Sequence, residues 1–153
     1  MSEEVIGVMR VFRPAFMRQI YETVYFTADR TVVARTSAGK GGVILGAVGG
    51  AIEGALQYEE AKKKGEQYSQ LSLEDILKAD KNNYAIPNAE ITEVELKKFG
   101  RGTKLNIKTS QKHGKSLYGE TNWYSSEGAW KDIGEKLENM LRPIFKDKLV
   151  VKK

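Results

Sequence analysis

The chain has 153 residues, enough for one domain with a real core, and 41% of them are hydrophobic. Its 25 Lys and Arg against 20 Asp and Glu leave a formal net charge of +5, which attracts phosphates or anionic lipid without identifying either. There is no cysteine, so disulfides, thiolate metal sites and cysteine nucleophiles are excluded, and the acidic start Met1-Ser2-Glu3-Glu4 is no signal peptide, so a cytoplasmic protein is expected.

In chain order, Val5–Phe12 (VIGVMRVF) is rich in β-branched and apolar residues and reads as a strand broken by Arg13-Pro14. Gln19–Thr27 and Thr31–Thr36 are two β-rich runs around a short polar turn, which predicts a hairpin. Asp29 and Arg30 read there as turn chemistry.

Gly39–Ala61 (GKGGVILGAVGGAIEGALQYEEA) organises the rest. Gly42, Gly46, Gly50 and Gly54 recur every four residues, so on a helix they form one shallow ridge, with Ile44, Val48, Ile52 and Leu56 roughly opposite. A helix apolar nearly all round has no wet face, and each glycine costs it about 1 kcal/mol relative to alanine. Something must therefore press on the ridge: the same protomer, or a second copy through close small-residue packing. A membrane span is disfavoured, since Val43 to Leu56 reaches only roughly 21 Å against a hydrocarbon core of ~30 Å, and Glu53 lies inside the run. The preceding Ser37-Ala38-Gly39-Lys40-Gly41 is not a phosphate loop: Ala34 stands at the first glycine position and Gly41 replaces the hydroxyl.

The helix is expected to continue through Tyr58–Gln67, where Glu59 with Lys63 and Glu60 with Lys64 stand four apart, acid first. Ser72 then caps a short helix, Leu73–Ala79, ended by Asn82-Asn83. Ile86-Pro87 is extended and Glu90–Phe99 reads as a strand. Lys104–Thr109 and Ser116–Thr121 bracket a second hairpin turn at Ser110–Lys115. From Ser125 or Ser126, Trp130, Ile133, Leu137, Met140, Leu141 and Ile144 keep helical spacing on one face, and Pro143 is expected to mark the end of that helix. Trp130 reads as a core anchor, and Leu149-Val150-Val151 as one more strand.

At VYFTADRTVVART the chain resembles the "strand, T-D-x-R, strand" hairpin of GRAM and bacterial pleckstrin-homology-like domains. IPNAEITEVEL and KLNIKT-QKHG-KSLYG are similar to the next strand and hairpin of those families, and Glu127 to Leu141 to their barrel-plugging helix. The resemblance covers roughly residues 3–36 and 80–145. It implies an α+β fold: a small antiparallel pleckstrin-homology-like β-barrel with a C-terminal capping helix, as one domain over 1–153, with 39–79 a glycine-rich helical insertion.

Enzymatic constellations are thin. His113 is the single histidine and sits in a turn, Glu93 and Glu95 share a strand face as solvated carboxylates, and no acidic cluster has calcium-loop spacing. No catalysis, cofactor or metal is expected. Lys97, Lys98, Arg101, Lys104, Lys108, Lys112, His113 and Lys115 fall on one strand and the neighbouring hairpin. Of these Lys104, Lys108, Lys112, His113 and Lys115 form the candidate anion or lipid-headgroup site, a role that basic hairpin loops hold in pleckstrin-like lipid binders. Nucleic-acid binding would use interleaved exposed aromatics; Tyr118 and Tyr124 are available, but no motif supports it. The expected function is a non-catalytic binding or assembly module. Its glycine ridge (Gly42, Gly46, Gly50, Gly54) packs within the protomer or makes a homo-oligomer. The alternatives are peripheral binding of anionic lipid, then a small-molecule enzyme.

Overall fold

A computed structural model describes residues 4–15, 18–38, 59–111 and 119–153. Alternating burial along the strands dictates the layout. In β1 (Gly7–Ala15) Met9 and Val11 point to one side, and in β2 (Arg18–Phe26) Val24 and Phe26 do the same. Val33 of β3 (Arg30–Ala38) and Ile86 of β4 (Tyr84–Pro87) continue that inner face. So do Val94 and Leu96 of β5 (Ile91–Phe99), Leu105 and Ile107 of β6 (Gly102–Thr109) and Trp123 of β7 (Glu120–Ser125). Helix α3 (Trp130–Phe145) covers the face with Leu137, Leu141 and Phe145, and β8 (Leu149–Lys152) adds Leu149. Gly7 permits the close approach of α3: a Cβ there would meet Met140 Sδ at 2.0 Å.

Among the described residues eight strands form one open, mostly antiparallel sheet in the order β4-β3-β2-β1-β7-β6-β5-β8. The exception is β8, which runs parallel to β5 because α3 carries the chain back across the sheet before it pairs. Both edges, β4 and β8, are four residues long, and short edges resist pairing with other chains. The protein is thus α+β with a C-terminal helix on the inner face.

The outer face of β2 and β3 is covered as well. Helix α1, described over residues 59–68, and α2 (Leu73–Ala79) bury Tyr68, Leu73 and Ile76 against Tyr25, Val32 and Ala34. Ser72 caps α2 as its position implies, its hydroxyl accepting from Asp75 N at 3.2 Å. Asn83 fastens this layer: its amide donates to Ile76 O at 2.7 Å, and its Oδ1 accepts from Arg35 N at 2.7 Å, close to a bulge in the β2–β3 ladder.

Several boundaries differ from the sequence reading. Pro14 does not break β1, because β7 pairs with β1 only at Val11 and Phe12; beyond them the strand has one neighbour, and an edge tolerates a residue without N–H. Ser125 ends β7 instead of opening α3, which starts at Trp130 without a side-chain cap; Trp130 N donates to Arg101 O at 2.9 Å, so tertiary contact replaces the cap. Pro143 lies inside α3, whose last turn is held by buried Phe145 against Phe26, with ring centroids 6.0 Å apart. The second strand of the later hairpin begins at Glu120. In α1, Lys64 lies over the Tyr68 ring, 5.4 Å from its centroid, instead of pairing with Glu60.

One buried carboxylate joins three strands. Glu22 is 1% exposed, and its Oε1 accepts from Arg13 Nε at 2.7 Å and from Trp123 Nε1 at 2.9 Å. Glu22→Leu strands the Arg13 guanidinium and should cost about 3–5 kcal/mol by urea denaturation. Adding Arg13→Leu should restore part of that loss, whereas Trp123→Phe should remove about 1.5–3 kcal/mol.

Candidate functional site

The sequence-derived basic site is divided by the structure. Lys104 and Lys108 do share the outer face of β6, four residues apart along the strand. Lys108 is tied to Glu93 on β5 at 3.1 Å, and Lys152 on β8 to Glu95 at 3.1 Å. The hydrogen bond from Lys108 to Glu93, then that carboxylate's charge, raises the Lys108 pKa above its ordinary value. Glu93 and Glu95 are therefore counterions on a wet face. Lys112, His113 and Lys115 lie outside the described residues, as do Gly42, Gly46, Gly50 and Gly54. Asp29 and Arg30 sit in the β2–β3 turn as expected, but Thr27 organises it: its hydroxyl accepts from Arg30 N at 3.0 Å and donates to Arg30 O at 2.8 Å.

One recess was not anticipated. It is a cavity of about 410 Å³ between the outer face of β1 and β2 and the α1–α2 corner. Val5, Val8, Leu71, Leu73 and Ile76 make its apolar walls, with Tyr25 beneath and Tyr68 alongside. Arg30 and Glu74 stand at the polar side, Nη2 to Oε1 at 2.6 Å. Its size and composition fall in the range of ligand sites, apolar with a few convergent polar groups. Val8 and Leu71 are 46% and 43% exposed, so the walls open to solvent.

The sequence carried a faint signal of this recess. Val5–Phe12 and the runs TVYF and TVVA are apolar at consecutive positions, which means both sheet faces are covered somewhere along them. Which residues of the second face remain uncovered depends on where α1 and α2 stop.

Compared with known proteins, the chain matches no family model, and no curated protein is similar to it. Among the described residues no group of three or more His, Asp or Glu side chains is placed to hold a metal ion, and no helix is long and apolar enough to cross a membrane.

Burial in this layer perturbs two tyrosines. Desolvation pushes Tyr25 up to about 12, partly opposed by Arg10. Burial also raises Tyr84 on the inner side, helped by the negative Glu22 and opposed by Arg13 and Arg35. An unfolded tyrosine loses its proton near pH 10, whereas folded Tyr25 keeps it until about 12, so the folded state binds more protons across that window. Stability should therefore fall as pH rises from about 10 to about 12, and Tyr25→Phe should flatten that fall in urea-midpoint measurements.

Proposed function

We propose that the protein is a non-catalytic binding module of pleckstrin-homology-like architecture. Its ligand site is the apolar cavity where the helical insertion meets the sheet. The strand order supports the architecture: the run β4-β3-β2-β1 joins the run β7-β6-β5 through β1, and α3 lays an apolar stripe on the inner face. One observation carries the binding role, the cavity of about 410 Å³ walled by Val5, Val8, Leu71, Leu73 and Ile76. An apolar group of a ligand fits such walls, while the Arg30–Glu74 pair marks the polar side. Anionic phospholipid binding through Lys104, Lys108, Lys112, His113 and Lys115 has less support, because Lys108 already holds Glu93.

Anilinonaphthalene sulfonate, a dye that brightens in apolar recesses, should bind the native protein saturably. Val8→Glu and Leu71→Glu place a charge on the apolar walls and should each weaken binding about tenfold or more. Equal dye binding by native protein and both variants rules out this cavity as the site.

The glycine ridge is the assembly part of the reading, whether it packs inside the protomer or against a second copy. Sedimentation of the native chain and of Gly46→Leu with Gly50→Leu decides between them. A native oligomer that the substitutions dissociate supports the interface, and a native monomer removes it.

A further inference from the structure

Among the described residues, helices cover only part of the sheet's outer face. Helices α1 and α2 lie over β2 and β3, and α3 lies on the inner face. Across the outer face runs a row of four rings: Tyr21 of β2, Phe12 of β1, Tyr124 of β7 and Phe99 of β5. Successive ring centroids are 5.8, 5.7 and 5.4 Å apart. Register produces the row, because Phe12 stands opposite Tyr21 on one side and Tyr124 on the other. Strand β6 contributes no ring, and Gly102, opposite Phe99, puts no side chain between Phe99 and Tyr124.

Charge accompanies the rings. Lys104 stands opposite Tyr124 on one side and Lys97 on the other. Unlike Lys108 and Lys152, neither Lys104 nor Lys97 has an ion-pair partner among the described residues. Cross-strand aromatic pairs stabilise a sheet, which accounts for Phe12 between its two neighbours. It does not account for Phe99, which ends the row 54% exposed beside those two lysines.

We propose that this row and its lysines form a platform for single-stranded nucleic acid. Bases stack on Phe99, Tyr124 and Phe12, and Lys104 and Lys97 meet the phosphates. Planar rings with adjacent cations complement a strand whose bases are flat and whose backbone is anionic. A bilayer surface supplies the phosphates but no planar partners for the rings, so the strand is the better match. The platform is separate from the apolar cavity, and the failure of one leaves the other standing.

The test is fluorescence anisotropy of the full chain with labelled oligothymidylate and oligouridylate of about twenty nucleotides, longer than one binding site requires. Saturable binding is expected, with a log–log salt slope of roughly −1.4 for two phosphate contacts. Phe99→Ala should weaken binding roughly 5- to 150-fold, the range for losing one stacked base. Tyr124→Leu provides a second reading, and circular dichroism verifies that both variants keep the fold. Lys104→Glu should weaken binding and flatten the salt slope. Oligodeoxyuridylate, which shares its base with oligouridylate, then separates a preference for the sugar from one for the thymine methyl group. No saturable binding of either oligonucleotide at low salt overturns the proposal, as does native affinity in both ring variants. Binding of anionic vesicles without binding of either oligonucleotide also overturns it, in favour of a membrane.

Discussion

Glu22 is buried inside the sheet on β2, and the joining of three strands depends on how its charge is met. One of its oxygens takes hydrogen bonds from Arg13 on β1 and Trp123 on β7, so the side chain of β2 reaches past its neighbour to the strand beyond. On the same inner face α3 packs Leu137, Leu141 and Phe145 into the apolar core. A charge 1% exposed is tolerated only when paired, and removing either donor leaves the remainder exposed to the full cost of desolvation.

The same cluster is incompletely satisfied. Glu22 Oε2 and Arg35 Nε are buried without hydrogen-bond partners among the described residues, although Glu22 and Arg35 face each other across the β2–β3 ladder. Tyr84 lies beside them, its pKa raised first by burial and then by the Glu22 charge, against the opposing Arg13 and Arg35. The interior is therefore polar at the end near the β1–β2 connection and apolar beneath α3. Stability at the polar end rests on geometry, and at the apolar end on area removed from water.

The outer face is divided differently. Over β2 and β3 it is a second small core under α1 and α2; over β5 to β8 it is a wet surface on which Glu93 and Glu95 neutralise Lys108 and Lys152. At the borders of these two regions lie the cavity walled by Val8 and Leu71 and the aromatic row ending at the exposed Phe99. A protein that exposes apolar groups at such borders gains no stability from them, which is why both are read as contact surfaces.

Local chemistry alone determined a good deal here. Period-two alternation in LNI and EVEL, the capping serine at Ser72 and the apolar stripe of α3 each act over a few residues, so strands, turns and helices are legible one segment at a time. What failed were boundaries decided by a distant partner: Pro14 survives in β1 because β7 stops pairing at Phe12, and α3 opens at Trp130 because Arg101 supplies its cap. The sites depended on tertiary structure for the same reason. Register sets Phe12 beside Tyr124 and Lys108 beside Glu93, helix packing sets Leu71 across a cavity from Val8, and both are properties of pairs of segments that no single segment encodes.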